Sequence, residues 1–315
     1  MASALASNAV AVDNWIIKGV YYHNSTQSNG NTVIRGQYGG GNLGYKNYVY
    51  LDIGNSFRAK ADSTVGNFTI NENVAILMSP NAPSGSISFN RMLRLEDRAK
   101  AGTIDNQGTI LVNSANHAAN GVGIYLDVGN NATLDTFTNS GLMRNETGGG
   151  SGKEMLVVWR DATINNLINK GTIYGQTGVI HSKGGTIKNM LFSGPNSITE
   201  AGDGNVINII NTSNIGNITA ENQAEIIGNI SLSNTSSIDN ISIGGNNTTL
   251  AGNITMLSND NTSSIDNITI SNGGTYAGTI HTAGRTNISG ITIANGGVVG
   301  SSNASSMILS SGNST

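Results

Sequence analysis

The chain has 315 residues, a formal net charge of −3 and a pI near 5.8. Charged residues make up only 11%, there is no Cys, and Gly (42) far outnumbers Pro (3), where an ordinary domain carries roughly 25% charged residues. This composition excludes disulfides and Cys-ligated zinc, argues against nucleic acid, whose phosphates need clustered Lys and Arg, and lacks the Pro, Glu and Lys excess of a disordered chain.

In chain order, the start from Met1 to Val12 is rich in small residues but has no charged segment and no long apolar run. It does not make a complete signal peptide, although Ala4-Leu5-Ala6 resembles the end of a cleavage site. No later stretch approaches the ~20 apolar residues of a membrane span. Residues 1–100 hold Trp15 and six of the nine tyrosines, Tyr21, Tyr22, Tyr38, Tyr45, Tyr48 and Tyr50. The run Val49 to Ile53 reads as a strand. The segment from Arg91 to Lys100 is the most charged in the chain and reads as a short helix or an excursion.

From about residue 100 the sequence becomes repetitive. An Asn-x-Gly-x-apolar motif occurs at Asn106 to Ile110, Asn139 to Met143 and Asn169 to Ile173. An Ile-x-Asn-Ile motif follows, with copies starting at Ile164, Ile187, Ile215, Ile238, Ile265 and Ile288, spaced by 23, 28, 23, 27 and 23 residues. Gly228, Gly252, Gly278 and Gly300 trail the last four copies. Inside each copy the pattern has period two: Ile241 and Ile243 point one way and Ser242 the other, as expected of half-buried strands. Asn272-Gly273-Gly274 and Asn295-Gly296-Gly297 supply sharp corners.

A unit of this length holds about three short strands and cannot bury its own Ile row. Stacked units can, because equivalent strands pair and like residues pile up inside. The expected fold is therefore all-β: a parallel β-helix with three short strands per coil. It comprises an aromatic-rich cap with the first coils over residues 1–100 and regular repeats over residues 101–315. Asn at the corners is expected to form hydrogen-bonded ladders. Leucine-rich repeats have a similar period, but their L-x-x-L-x-L-x-x-N signature is absent, as are the G-G-x-G-x-D repeats of a calcium roll.

Residues 100–315 resemble the passenger domains of Gram-negative autotransporters in their stacked Ile-x-Asn-Ile and Asn-x-Gly-x-Ile repeats, low charge, lack of Cys and abundant Asn, Ser and Thr. The strings Ile104 to Ile110 and Leu167 to Ile173 look like passengers of the Campylobacter and Helicobacter type, which include adhesins and vacuolating-toxin-like proteins. The resemblance implies a secreted or cell-surface protein, attached in its full-length form to an outer-membrane barrel.

Residues that could carry chemistry do not assemble into a known catalytic pattern. The Gly-Asp-Ser-Gly motif of autotransporter serine proteases is absent, and His23, His117, His181 and His281 are scattered, so no triad is assigned. Thr147 to Glu154 mimics a phosphate loop, but Thr147 and Glu154 stand where Gly and Ser or Thr are needed, and it reads as a loop. Polysaccharide-cleaving β-helices need carboxylates clustered on one face. The candidates Asp127, Asp135, Glu154 and Asp161, with Arg144 and Arg160, do not follow one coil period and read as solvated corner residues. Asp239 and Asp266 share a repeat position, facing solvent or holding a cation. Asn217, Asn229, Asn240, Asn253, Asn267 and Asn287 stand in Asn-x-Ser/Thr sequons.

The expected function is therefore binding, with no enzyme activity, no cofactor and no metal. Trp15 and the six N-terminal tyrosines are the candidate contacts for a host-cell surface protein or glycan, aromatic loops being rigid contact surfaces; the alternative is that they pack the cap. Self-association, a vacuolating-type toxin and a polysaccharide-cleaving enzyme are the other readings.

Overall fold

The computed structural model describes residues 13–21, 25–35, 37–38, 47–72, 74–78, 90–112, 123–145, 154–300 and 308–311. Within them the chain is all β, without a helix, and winds into a parallel β-solenoid. Three ladders of parallel strands run along it. The first face includes Lys100–Asn106, Thr133–Asn139, Thr163–Asn169 and Thr186–Ser193, each paired with the next. The second includes Thr109–Val112, Leu142–Asn145 and Thr172–Gly175. The third includes Asn90–Leu95, Gly123–Val128, Leu156–Val158 and Gly178–Lys183. Farther along, strands pass unbroken through corners. Ile198–Ile210 serves the second and third faces, and Ile254–Ser271 the third face of one coil and the first face of the next.

The register stacks like on like. One inward column of the first face reads Phe68, Ile104, Phe137, Leu167, Met190, Ile218, Ile241 and Ile268, all buried. Full burial of one such side chain is worth about 1.5–3 kcal/mol, and each column repeats that gain coil after coil. Ser242, between Ile241 and Ile243, is turned outward as its alternation requires.

The Asn-x-Gly motif builds the corner after the first face. Its Asn points inward: Asn106, Asn139 and Asn169 are fully buried in a column that continues as Ile70 on one side and Phe192 on the other. They are linked in a row, Asn106 Nδ2 donating to Asn139 Oδ1 (2.7 Å), Asn139 Nδ2 to Asn169 Oδ1 (2.9 Å) and Asn169 Nδ2 to Thr199 Oγ1 (2.8 Å), while Asn106 Oδ1 at the head of the row is left without a partner. The glycine is required because the coils touch there. A Cβ on Gly141 would lie 1.9 Å from the carbonyl oxygen of Gly108.

In later coils the same corner is made by Asn-Gly-Gly. Asn272 and Gly273 adopt left-handed φ values of 53° and 81°, while a Cβ on Gly274 would meet the Ile243 carbonyl oxygen at 2.5 Å.

The N-terminal strands pair differently. Ile16–Tyr21 lies antiparallel to Asn47–Ala59, and Ser25–Ser28 forms a hairpin with Asn31–Ile34, which itself joins the first ladder through Phe68–Ile70. The solenoid thus begins well inside residues 1–100. The segment from Arg91 to Lys100 is neither a helix nor an excursion. Arg91 to Leu95 belong to a strand of the third face, and Glu96 to Ala99 turn the corner into Lys100–Asn106. Its inward residues Leu93 and Leu95 are buried at period two, which outweighs the helix-like look of its charges.

Candidate functional site

The outward side of the third face divides the molecule. Its central column reads Arg58, Arg94, Asp127, Val157 and His181, then Asn208, Ser231, Thr255 and His281. Outward residues of a solenoid are normally solvated, yet Asp127 is only 2% exposed, Val157 is fully buried and His181 is 7% exposed. Trp159, just past the end of that strand, packs against Val157.

Asp127 is the hub. Its Oδ1 accepts the indole N–H of Trp159. Its Oδ2 lies 2.9 Å from Arg91 Nε and 3.5 Å from Arg94 Nε. Burial pushes the Asp127 carboxyl above the usual aspartate range, against the pull of Arg91, Trp159 and Arg94. Lys183 Nζ sits 5.0 Å from the centre of the Trp159 ring, within cation–π range. Arg91, Arg94, Asp97, Asp127, Gly129, Asn130 and Trp159 line a cleft of about 290 Å³.

Beside this cluster, His181 Nδ1 donates to Glu154 Oε1 at 2.7 Å, and Nε2 of the ring accepts from Asn208 Nδ2 at 3.4 Å. Burial raises the Glu154 carboxyl, but the hydrogen bond from His181, together with the charge of Lys183, outweighs it and holds Glu154 below the usual range.

Of the four candidate carboxylates, Asp127 and Glu154 are thus largely buried on one face, a correction to the reading of all four as solvated corner residues. Asp135 is exposed on the first face and accepts from Asn165 Nδ2. Asp161 is an exposed corner residue with φ 58°. Arg144 belongs to the second face, stacked 4.5 Å over Tyr174, and Arg160 is exposed beside Asp161. Asp239 and Asp266 are exposed to solvent.

Of the N-terminal aromatic set, Trp15 is placed in the interior. Trp15 is 1% exposed, 5.2 Å from the Phe68 ring, with its indole N–H donated to the Gly66 carbonyl. It is a core residue, packed against Phe68. Tyr21, Tyr38, Tyr48 and Tyr50 lie in strands of the antiparallel and second-face pairings. Tyr22, Tyr45, His23, His117 and most of the Gly-rich Thr147 to Glu154 segment lie outside the described residues.

Sequence reading missed Arg91, Arg94, Asp97 and Trp159 as a group. A signal was present: in Leu156-Val157-Val158-Trp159 the period-two alternation fails, and an apolar residue at an outward position marks a covered outer surface.

On the first face a different outward array runs through the third position of each Ile-x-Asn-Ile copy. Asn189 Nδ2 donates to Asn166 Oδ1 (3.2 Å), Asn217 to Asn189 (2.9 Å), Asn240 to Asn217 (2.9 Å) and Asn267 to Asn240 (3.1 Å). Three sequon asparagines thereby spend their side-chain amide on the neighbouring coil. Asn229 and Asn253 instead accept backbone N–H groups of the next coil.

No protein-family model matches the chain, and neither a curated protein nor a solved structure gives a significant match.

Proposed function

We propose that the chain is a secreted or surface-displayed passenger of the autotransporter type, acting as an adhesin whose recognition surface is the third face between Arg58 and Lys183. One observation carries this reading. The outward third face bears buried and half-buried charge and an aromatic ring around a cleft up to Lys183; beyond it the same column carries Asn208, Ser231, Thr255 and His281. A rigid rod holding such a cleft suits capture of a host-cell protein or glycan, because preorganised contacts lose little entropy on binding. The full-length protein would carry a membrane barrel, which the resemblance to passengers implies.

The purified chain should bind host cells, and Arg94→Gln combined with Trp159→Phe should abolish binding while circular dichroism stays β-rich. Asn240→Ala, on the first face, should bind as the parent does. Undiminished binding by the double variant would remove the cleft from the adhesin reading. Turnover of a polysaccharide, lost on changing Asp127, would replace it with an enzyme.

A second reading, self-association, is favoured by the exposed apolar residues of the last coils. Ile293 occupies the inward column of Ile243 and Ile270 yet is 55% exposed, with Ile291, Val298 and Val299 also exposed nearby. Residues 286–300 carry no Lys, Arg, Asp or Glu, the charges that usually guard exposed strands. Sedimentation should then show concentration-dependent association that Ile293→Lys suppresses.

A further inference from the structure

We propose that Asn229 and Asn253 are acceptor sites for an N-linked sugar on the folded rod, and that the sequons of the outer ladder are not. The sites lie at the corner between the second and third faces, in coils beyond the cleft at Asp127, and do not depend on it. Six sequons of the later coils read Asn-Ile-Ser or Asn-Ile-Thr, at Asn217, Asn229, Asn240, Asn253, Asn267 and Asn287. The fold accounts for that spelling. At period two the Ile turns inward, which sets the asparagine and the hydroxyl residue on the outer side to either end of it.

The six differ in what the side-chain amide does. Asn217, Asn240 and Asn267 donate Nδ2 to the asparagine one coil back, and Asn287 Nδ2 donates to Ser289 Oγ at 3.1 Å. Asn229 and Asn253 work the other way round. Asn229 Oδ1 accepts the backbone N–H of Asn253, and Asn253 Oδ1 accepts that of Thr279, both at 2.9 Å. Neither Nδ2 donates to any group among the described residues, and neither is a buried atom left without a partner. The carbonyl bond therefore holds the amide at the corner and leaves its nitrogen to solvent.

Glycine makes that corner sharp. Gly228 and Gly252, at φ 125° and 152°, stand just before the two asparagines, and a Cβ on Gly252 would lie 2.1 Å from the Gly228 carbonyl oxygen. Ser231 and Thr255 complete the two sequons in the outward third-face column, where both are half-buried. One coil later the same positions are Thr279 and His281. The architecture thus tolerates other residues there, and the sequon is not a by-product of stacking as it is in the ladder.

An Asn-x-Ser/Thr at an exposed turn is the acceptor signature for N-linked sugar. Transfer forms a bond from Nδ2 to the anomeric carbon of a hexose and breaks the bond from that carbon to the diphosphate of a nucleotide-activated donor. One amide proton passes to a base of the transferase, and the nucleoside diphosphate leaves. The nitrogen must be free to turn into the transferase and to release a proton. The amides of Asn229 and Asn253 meet that need, and an amide held between two coils does not.

The test incubates the purified, folded full chain with a soluble sequon-specific N-glycosyltransferase and UDP-glucose, then reads intact mass and peptide maps. Hexose should appear on Asn229 and Asn253 at occupancies at least tenfold above those of Asn217, Asn240, Asn267 and Asn287. Thr255→Ala changes an outward residue, so circular dichroism should stay β-rich; it should clear the sugar from Asn253 and leave Asn229 modified. A proteolytic digest of the same chain has lost the ladder and should take hexose at Asn217, Asn240 and Asn267 as well. A folded chain without hexose at Asn229 and Asn253 overturns the proposal, and so does equal occupancy of the ladder asparagines. Sugar retained on Asn253 in Thr255→Ala would show that the sequon does not direct transfer. A digest that still refuses sugar at the ladder positions would trace their protection to local sequence, and the division of the sequons by hydrogen bonding would fall.

Discussion

The coils between Phe57 and Lys183 and those between Asn205 and Val299 share one interior and differ in what they do with asparagine and charge. In the first group asparagine is buried at the corner, as Asn106, Asn139 and Asn169, and charge gathers on the outward third face. In the second group the corresponding inward positions are Ala220, Ile243 and Ile270, and asparagine moves to the outer surface of the first face. A solenoid separates the two tasks. Inward columns need only shape and apolar character, so outward positions are free to vary from coil to coil.

The sharpest break of this comparison is at the shared core. Ile241→Asp should cost several kcal/mol, on the order of 4 or more, by burying a charge in an apolar column. Ser242→Asp should stay within about 0.5 kcal/mol. Equal urea midpoints for the two variants would mean that the faces are misassigned and that the coils have no common interior.

Next in size is the asparagine contrast. Asn139→Ala strands the Asn106 amide in the interior, while the Asn169 oxygen keeps the Gly171 N–H, and should cost about 1–3 kcal/mol. Asn240→Ala, on the solvated ladder, should cost no more than about 0.5 kcal/mol. Matching losses in thermal melts would show that the outer ladder contributes to folding as much as the inner one.

The smallest effects concern pH and belong to the charged face alone. Glu154 is held below its ordinary range, so its ionised form adds stability at neutral pH that is lost as pH falls through its folded value. The gap between the parent and Glu154→Gln should shrink on acidification. Asp127 is raised, so its contribution is present in acid and lost as pH rises through its folded value, and the gap to Asp127→Asn should shrink toward neutral pH. Melting curves at several pH values would show the two difference plots sloping in opposite directions. Plots of the same slope would place both carboxylates in one kind of environment.

The rod was readable because Ile recurs at period two inside units of regular spacing; asparagine ladders were expected at the corners, and one of the two runs instead along the outer surface of the first face. The cleft was not. Its residues come from coils of unequal length, so Arg94 and Asp127 share no repeat position in the sequence although they are neighbours in register. Charge on the segment from Arg91 to Lys100 concealed a strand whose inward Leu93 and Leu95 carry the pattern. Trp15 was misplaced for the opposite reason: an isolated aromatic near the N-terminus has no periodic neighbours to reveal which way it faces.

The two asparagine ladders also run in opposite senses. On the outer surface each amide donates backward, from Asn267 through Asn240, Asn217 and Asn189 to Asn166, and Gly290 occupies the next register position without an amide to extend the row. In the interior each donates forward, from Asn106 through Asn139 and Asn169 to Thr199. Side-chain amide dipoles aligned head to tail add along a row. The molecule therefore carries two axial dipoles of opposite direction in successive, partly overlapping stretches of the rod, one shielded from water and one bathed in it. During synthesis the outer row offers each arriving coil a ready acceptor, whereas the inner row offers a donor waiting for its acceptor. A chain emerging from its N-terminus would thus meet a template whose polarity reverses part of the way along.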